Sequence, residues 1–184
     1  MNKVKNVYFL VGPSCVGKTT ISNSLKKRRD DIIVSEVDSI FHSKYGDIME
    51  FTNNNSWEEY LLKISNIITE FLENFHKDKK YLVTLPPSTL TNSVNDEIAQ
   101  KNRKLLIGSY YLICLLTHKN HELGAYISVN RHINRNYEIS TEEKRERYIQ
   151  EAEFYSSVAD FVLYTDESLE NNLKQIKHII SQNA

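Results

Sequence analysis

Unbroken apolar runs recur along the chain, and longer stretches with helical spacing separate them. Runs of this kind, without polar alternation, predict strands that helices cover on both faces of a sheet. The predicted strands lie at residues 7–11, 32–34, 81–85, 110–116 and 161–164.

Apolar side chains that recur every three or four residues predict the helices between these strands. The clearest case is 57–75, where Ser56 and Glu59 form a capping box at the start. The run 53–55 predicts a polar turn. Alternating strands and helices favour an α/β fold with a parallel, doubly wound sheet and right-handed crossovers. Further helical stretches lie at 19–28, 122–134, 140–156 and 168–181.

Composition narrows the possible classes of protein. The chain has 184 residues, 40% hydrophobic and 26% charged, which is typical of one soluble domain. With 23 basic and 24 acidic residues it lacks the positive field of a nucleic-acid-binding protein. Two cysteines, Cys15 and Cys114, suit a reducing compartment, and no apolar run is long enough to span a bilayer. We therefore expect a cytoplasmic protein with neither nucleic-acid nor membrane partners.

Residues 12–19 read Gly-Pro-Ser-Cys-Val-Gly-Lys-Thr and fit the pattern G-x-x-x-x-G-K-[ST]. A predicted strand runs into the first glycine and a predicted helix follows the lysine, which is the context that the motif requires. Gly12 and Gly17 let the backbone curl so that N–H groups point at phosphate oxygens. Lys18 supplies a cation for the β- and γ-phosphates, and the Thr19 hydroxyl is placed to bind Mg²⁺.

The alternative is a glycine turn that happens to precede a lysine, and the flanking strand argues against it. Cys15 occupies a variable position of the motif, where a small residue suffices. The residues predicted to bind the nucleotide phosphates are Gly12, Pro13, Ser14, Cys15, Val16, Gly17, Lys18, Thr19 and Thr20.

Two carboxylates, Glu36 and Asp38, follow the second predicted strand. In an extended segment they point to the same side, at the strand end where such sheets bind ligands. We predict that Glu36 holds Mg²⁺ and that Asp38 is catalytic, accepting the proton of an attacking hydroxyl. The alternative is a pair of exposed acids, with Asp38 capping a helix.

Arg131 and Arg135 lie one turn apart near the end of the helical stretch 122–134 and share its face. Phosphoryl transfer needs cations that approach the transferring group and exclude water. We predict that Arg131 contacts the adenine side of the nucleotide and that Arg135 is a catalytic lid cation. The alternative is two solvated helix arginines.

With these residues in view, the chain resembles the small P-loop kinases, and most closely the shikimate kinase group, over nearly its whole length. The resemblance implies a three-layer sandwich with a five-stranded parallel sheet in the order 2-3-1-4-5. It also implies one domain, 1–184, with an acceptor-binding insertion at about 39–76 and a lid at about 118–140. ATP with Mg²⁺ is the implied phosphoryl donor. The residues that carry the resemblance are 12–20, Glu36 and Asp38, 81–84, 131–135 and 155–168.

Three positions depart from the pattern of that group. Leu85-Pro86-Pro87 stands where the group has a glycine triplet, and proline offers no N–H to an acceptor. Thr52 and Glu151 stand where the group has arginines that clamp a substrate carboxylate. The departures predict a kinase that does not phosphorylate shikimate. A neutral or cationic polyol or amino-sugar acceptor would suit Thr52, Asn53, Asn54 and Glu151 better.

The sequence therefore predicts an ATP-dependent phosphotransferase that acts on a hydroxyl of a small molecule, as a monomer or weak homodimer. One alternative is an enzyme like the nucleoside monophosphate kinases, because residues 12–14 resemble the corresponding segment of guanylate kinases. The other alternative is a nucleotide-binding regulatory protein whose acceptor pocket has decayed, which the prolines after Thr84 suggest.

Overall fold

Five parallel strands form a single sheet in a computed structural model that describes residues 3–28, 31–91, 96–133 and 141–183. The order is β2-β3-β1-β4-β5, which confirms the predicted α/β class and strand order. All four neighbouring pairs are parallel. The strands are β1 (Val7–Val11), β2 (Ile32–Glu36), β3 (Lys80–Thr84), β4 (Tyr111–Leu116) and β5 (Phe161–Tyr164).

Eight helices lie between and after these strands in the described part of the chain, together with a 3₁₀ turn at Pro87–Thr89. The predicted capping box is present, because the Ser56 hydroxyl accepts a hydrogen bond from the Glu59 N–H at 3.0 Å. The helices are α1 (Lys18–Lys27), α2 (Val37–Tyr45), α3 (Ile48–Asn54), α4 (Trp57–Asn74), α5 (Asp96–Leu106), α6 (His121–Ile133), α7 (Thr141–Val158) and α8 (Leu169–Gln182).

The prediction of a polar turn at 53–55 was wrong for its first two residues, which are the last residues of α3. Asp47 caps this helix by accepting the N–H groups of Met49 and Glu50 at 2.9 and 3.0 Å. None of the α3 side chains is fully buried, although Ile48 and Phe51 are partly buried against the core. With seven residues, the helix is too short for its apolar spacing to reveal it in the sequence.

The core lies on both faces of the sheet, as the unbroken apolar runs predict. Every side chain of β1 is fully buried. On α4, Ile64 and Ile68 are fully buried and point inward. None of the helices in the described ranges is long and apolar enough to cross a bilayer.

Because the strands are parallel, their carboxyl ends meet at one edge of the sheet. The segments that follow them there are the glycine loop after β1, α2 after β2, the proline segment after β3 and Thr117 after β4. The candidate functional site lies at this edge.

Candidate functional site

The loop after β1 has the curled backbone that its glycines predict. Gly12, Cys15 and Gly17 adopt φ angles of 135°, 59° and 103°, all in the left-handed region. A Cβ at Gly12 would lie 2.3 Å from the carbonyl oxygen of Leu115, so no other residue fits there without moving β4. The loop leads into α1, whose N-terminal N–H groups and positive dipole end favour an anion. The concave backbone thus fits a phosphate group.

Lys18, the first residue of α1, is 8% exposed. Its ammonium group donates to the carbonyl oxygens of Gly12 and Pro13 at 2.7 and 2.8 Å. Burial lowers the pKa of Lys18 to about 8, while the negative charges of Glu151 and Asp38 act in the opposite direction. Lys18 is therefore a buried cation between the phosphate loop and two carboxylates from distant parts of the chain.

Asp38 lies in the first turn of α2 and is exposed to a cavity beside the loop. The Tyr60 hydroxyl of α4 donates to its Oδ1 at 3.3 Å. Desolvation by the protein around the cavity raises the pKa of the Asp38 carboxyl group. The positive charge of Lys18 and the hydrogen bond from Tyr60 partly offset this rise. Asp38 can accept a proton from a group in the cavity and is held in place by Tyr60.

The structure corrects the expectation that Glu36 and Asp38 project from one extended segment. The backbone turns helical at Val37, so Glu36 ends β2 and Asp38 belongs to α2. Glu36 is buried and accepts a hydrogen bond from the Lys26 ammonium at 2.7 Å. It borders a separate surface groove rather than the cavity of Asp38.

Candidate Mg²⁺ ligands are few at this edge of the sheet. Within the described ranges, no group of three or more His, Cys, Asp or Glu side chains could hold a metal ion. Thr19 is exposed at the start of α1, directly after Lys18. A single hydroxyl suits Mg²⁺ that arrives with a nucleotide, because this ion keeps several waters and takes most other ligands from phosphates.

Arg131 of α6 spans the gap between the phosphate loop and the segment after β5. Its guanidinium donates to the Thr165 hydroxyl at 3.2 Å and to the Cys15 carbonyl oxygen at 3.4 Å. A cavity of about 320 Å³ lies here, bordered by Gly17, Arg131, Thr165 and Leu169 among others. Its place beside the loop suits a nucleotide base. Arg135, the predicted lid cation, lies outside the described residues.

A second cavity, of about 500 Å³, opens on the other side of the loop; we call it the inner cavity. Ser14 and Cys15 of the loop line it, so a small molecule bound there would lie beside the phosphate loop. Trp57 borders it and is 37% exposed, although its spacing suggested a buried helix face. Among the residues that line it are Ser14, Cys15, Asp38, Trp57, Tyr60, Pro86, Pro87, Tyr148, Arg147 and Glu151.

The proline segment after β3 forms one wall of the inner cavity. The Tyr155 hydroxyl of α7 donates to the carbonyl oxygen of Pro87 at 2.6 Å, which fixes the segment against the core. Thr52 bonds back to the Ile48 carbonyl oxygen at 2.9 Å. Residues 52–54, suggested as acceptor contacts, do not line this cavity, whereas Glu151 does.

Glu151 is a carboxylate only 5% exposed, on α7. Arg147, one turn earlier, donates to Glu151 Oε1 at 3.0 Å, while its own side chain is 55% exposed. Arg147 was a weak candidate in the sequence, because neighbouring glutamates could simply pair with it; in the structure it pairs with Glu151 and lines the inner cavity. Spacing i, i+4 from Glu151 was the signal that could have indicated it.

The chain is similar in fold to several solved structures. A shikimate kinase from Acinetobacter baumannii, in complex with shikimate, has a TM-score of 0.72 and 16% identity, over 97% of this chain and 94% of the other. A shikimate kinase from Aquifex aeolicus has a TM-score of 0.70 and 14% identity, over 96% and 97% of the two chains. A gluconokinase from Sinorhizobium meliloti has a TM-score of 0.61 and 13% identity, over 98% and 94%.

One curated relative matches in sequence, the pentafunctional AROM polypeptide of Komagataella phaffii, with 34% identity over 77 residues. The match covers 42% of this chain, and the chain spans only about 5% of the length of that relative. No protein-family model matches. At identities this low, the structural likeness establishes the fold alone: the chain has the P-loop kinase fold of shikimate kinases and gluconokinase.

Proposed function

We propose that the protein is an ATP-dependent kinase that transfers the γ-phosphoryl group to a hydroxyl of a small molecule other than shikimate. The observation that carries this proposal is the position of Lys18, which belongs to the phosphate loop and interacts with Asp38 at the wall of the inner cavity. A donor cradle and a candidate proton acceptor thus border one space. The fold supports the proposal, since kinases of small molecules occur on it.

In this mechanism the acceptor oxygen forms a bond to the γ-phosphorus, and the bond from that phosphorus to the bridging oxygen breaks. ADP leaves with the electron pair, and the hydroxyl proton passes to the Asp38 carboxylate. Lys18 stabilises the charge on the phosphoryl oxygens, Arg131 holds the adenine side and Arg135 is the proposed lid cation.

Mg²⁺, when bound with the nucleotide, would neutralise phosphate charge. Thr19 is the side chain proposed to hold it. Glu36, the other predicted ligand, would join only after leaving Lys26, to which it is bound at 2.7 Å.

The exclusion of shikimate rests on charge. Glu151 occupies the position of an expected arginine, and the charge of nearby Arg147 is balanced by that same carboxylate. A carboxylate acceptor in this part of the cavity would meet Glu151, and an unpaired buried charge is strongly unfavourable.

A coupled assay of ADP release tests the function, using the purified chain, ATP with Mg²⁺ and a panel of polyols, sugars, amino alcohols, nucleosides and shikimate. We expect acceptor-dependent release with at least one non-shikimate alcohol, and release about 10²- to 10³-fold slower with the Lys18→Met variant. Tight ATP binding without transfer to any acceptor would contradict the proposal and favour a regulatory nucleotide-binding protein. Efficient turnover of shikimate would refute the exclusion.

A further inference from the structure

Glu151 is a buried carboxylate at the wall of a cavity, an arrangement that needs a physical reason. Burial raises the pKa of Glu151, and Arg147 is the first of the groups that lower it again. Such a carboxylate is costly to bury, and a well-packed apolar residue usually stabilises a fold as well or better. Stability therefore gives little reason for a carboxylate here, whereas recognition of a ligand cation does.

Glu151 lies where two cavities adjoin. A third cavity, of about 490 Å³, adjoins the inner cavity, and we call it the outer cavity. The two share the lining residues Trp57, Glu143, Arg147 and Glu151. Together they offer more room than one small sugar ring needs, and Glu151 stands at their junction. A ligand in the inner cavity can therefore place a substituent against Glu151 while its hydroxyl lies near Asp38.

The charges around both cavities are predominantly negative. Carboxylates outnumber cationic side chains by five to three among the described residues that line them. Two of the cations are paired with two of these carboxylates, Arg147 with Glu151 at 3.0 Å and Arg103 with Asp96 at 2.5 Å, which leaves three carboxylates and one cation outside those two pairs. The carboxylates belong to Asp38, Asp96, Glu143, Glu146 and Glu151, and the cations to Arg103, Lys144 and Arg147.

The pair of Glu151 with Arg147 is asymmetric, because the carboxylate is buried and the guanidinium side is 55% exposed. A protonated amine could take the place of the guanidinium at Glu151, and Arg147 could then turn to water at little cost. An anionic group could gain Arg147 only by taking it from the buried Glu151, which would keep only the weaker stabilisation from Lys18 and Thr91. The exchange of one cation for another is thus the favoured event.

Aromatic side chains complete the site for a cation. Trp57 and Tyr148 line the inner cavity, and the Trp57 ring packs against Tyr60 at 4.7 Å between centroids. Ring faces attract ammonium groups, most strongly where water is partly excluded. Buried carboxylate and exposed indole thus border one space.

Resting on the proposed kinase function, we propose that the acceptor is an amine-bearing alcohol, whose protonated amine binds Glu151 while its hydroxyl faces Asp38. Aminated sugars and aminocyclitols are the corresponding chemical class. The inference selects the cationic acceptor over the neutral one that the sequence left open.

The test compares matched trios that differ in one charged group, such as glucosamine, glucose and glucuronate, together with aminated and neutral cyclitols. Binding to the full chain with ADP and Mg²⁺ is measured by calorimetry, and transfer from ATP is measured in parallel. We expect an amine member to bind about 10- to 100-fold more tightly than its neutral partner, the usual worth of a hydrogen bond to a charged group. Preference for the acidic member, or no amine preference in any trio, would overturn the inference.

Two variants separate recognition from a structural role. Glu151→Gln should abolish the amine preference while the neutral partner changes less than about threefold, which is under 1 kcal/mol. Arg147→Met removes the competing guanidinium and should tighten amine binding, a gain that a merely structural pair would not produce. The proposal would be contradicted if Glu151→Gln lowered the affinity for all members of a trio equally, or if Arg147→Met weakened the binding of the amine.

The two proposals fail in different ways. Selective amine binding without phosphoryl transfer would refute the kinase function and leave the cation site standing. Transfer to neutral or acidic alcohols without amine selectivity would support the kinase function and refute the cation site.

Discussion

The two halves of the site are built differently. The phosphate-binding part of the proposed donor half is one contiguous segment, 12–19, whose backbone forms the cradle and whose geometry depends on Gly12 and Gly17. The proposed acceptor half is assembled from side chains on α2, α4 and α7, helices that are spread over more than a hundred residues of the chain. The first is set by local backbone sterics and the second by packing.

This difference explains why the phosphate loop fits the motif G-x-x-x-x-G-K-[ST], while the acceptor half departs from the residues that the resemblance to shikimate kinases implies. A backbone cradle binds the phosphates of any nucleotide through its N–H groups, so the pattern fixes only the two glycines, the lysine and the hydroxyl residue. Side chains on separate helices can be exchanged one at a time without disturbing the fold. Glu151, where the resemblance implies an arginine, would be such an exchange, and it would alter the charge of the cavity rather than its frame.

The largest expected effect concerns Asp38, where the two halves meet. Asp38→Asn keeps the shape of the side chain but cannot take up a proton, so we expect kcat to fall about 10²- to 10⁴-fold, the range of general base catalysis. ATP affinity should change far less, since Asp38 belongs to the acceptor half. Steady-state kinetics and nucleotide titration measure both. Unchanged turnover would contradict the assigned role, and Glu50→Gln, an exposed carboxylate of α3, is the control.

Lys18→Met tests the donor half. Loss of a preorganised cation at the transferring group should lower kcat about 10²- to 10³-fold. The matched control is Lys27→Met, which removes an exposed lysine from the end of the same helix and should leave turnover unaltered. Equal effects of the two variants would indicate a general effect of charge rather than a role at the site.

Much of the fold could be predicted because buried strands have unbroken apolar sequences. The strands at 7–11 and 161–164 match β1 and β5 to the residue. Helix α5 was not predicted, because only three of its residues are buried. At Glu36 the local sequence permits strand or helix, and only tertiary packing decides that α2 begins at Val37.

The phosphate loop could be predicted from the sequence, whereas the contacts between side chains on separate helices could not. The curl of the loop follows from Gly12 and Gly17, so its shape could be predicted from residues 12–19. The contacts of Tyr60 with Asp38 could not, because they depend on how α4 packs against α2. The proximity of Glu151 to Lys18 likewise arises only from the folded chain.

Gly12→Ala measures how strictly the donor half depends on its backbone. The new Cβ would lie 2.3 Å from the Leu115 carbonyl oxygen, and the φ of 135° is itself unfavourable for alanine. We expect the free energy of unfolding to fall by about 2–5 kcal/mol, from strain and overpacking together. Gly108→Ala is the matched control, since its φ of 83° is also positive but nothing lies within 4 Å of the added atom.

Denaturant unfolding of both variants gives the comparison. Gly108→Ala should lose only about 1–2 kcal/mol, the cost of the left-handed conformation alone. The difference between the variants then isolates the close approach of the loop to β4. If the two losses were equal, the contact with Leu115 would not constrain the loop.

The smallest effect concerns the hydrogen bond that joins Tyr60 of α4 to Asp38, the proposed proton acceptor. The Tyr60 hydroxyl donates to Asp38 and stabilises its charged form, so Tyr60→Phe should raise the pKa of Asp38. Because the reaction needs the carboxylate, the acid limb of the kcat/KM profile should move to higher pH. One such hydrogen bond contributes about 1 kcal/mol, so the shift should stay below about one pH unit.

The phenylalanine variant keeps the ring, which packs against Phe41 and Trp57 at 4.9 and 4.7 Å between centroids. The inner cavity should therefore keep its shape, and turnover at high pH should match that of the parent chain. Tyr126→Phe, which changes an exposed ring on α6, should leave the profile in place. A shift of the acid limb to lower pH would show that the hydroxyl stabilises the protonated form instead. The orientation of Asp38 would then depend on another contact, and α4 would shape the acceptor half through packing alone.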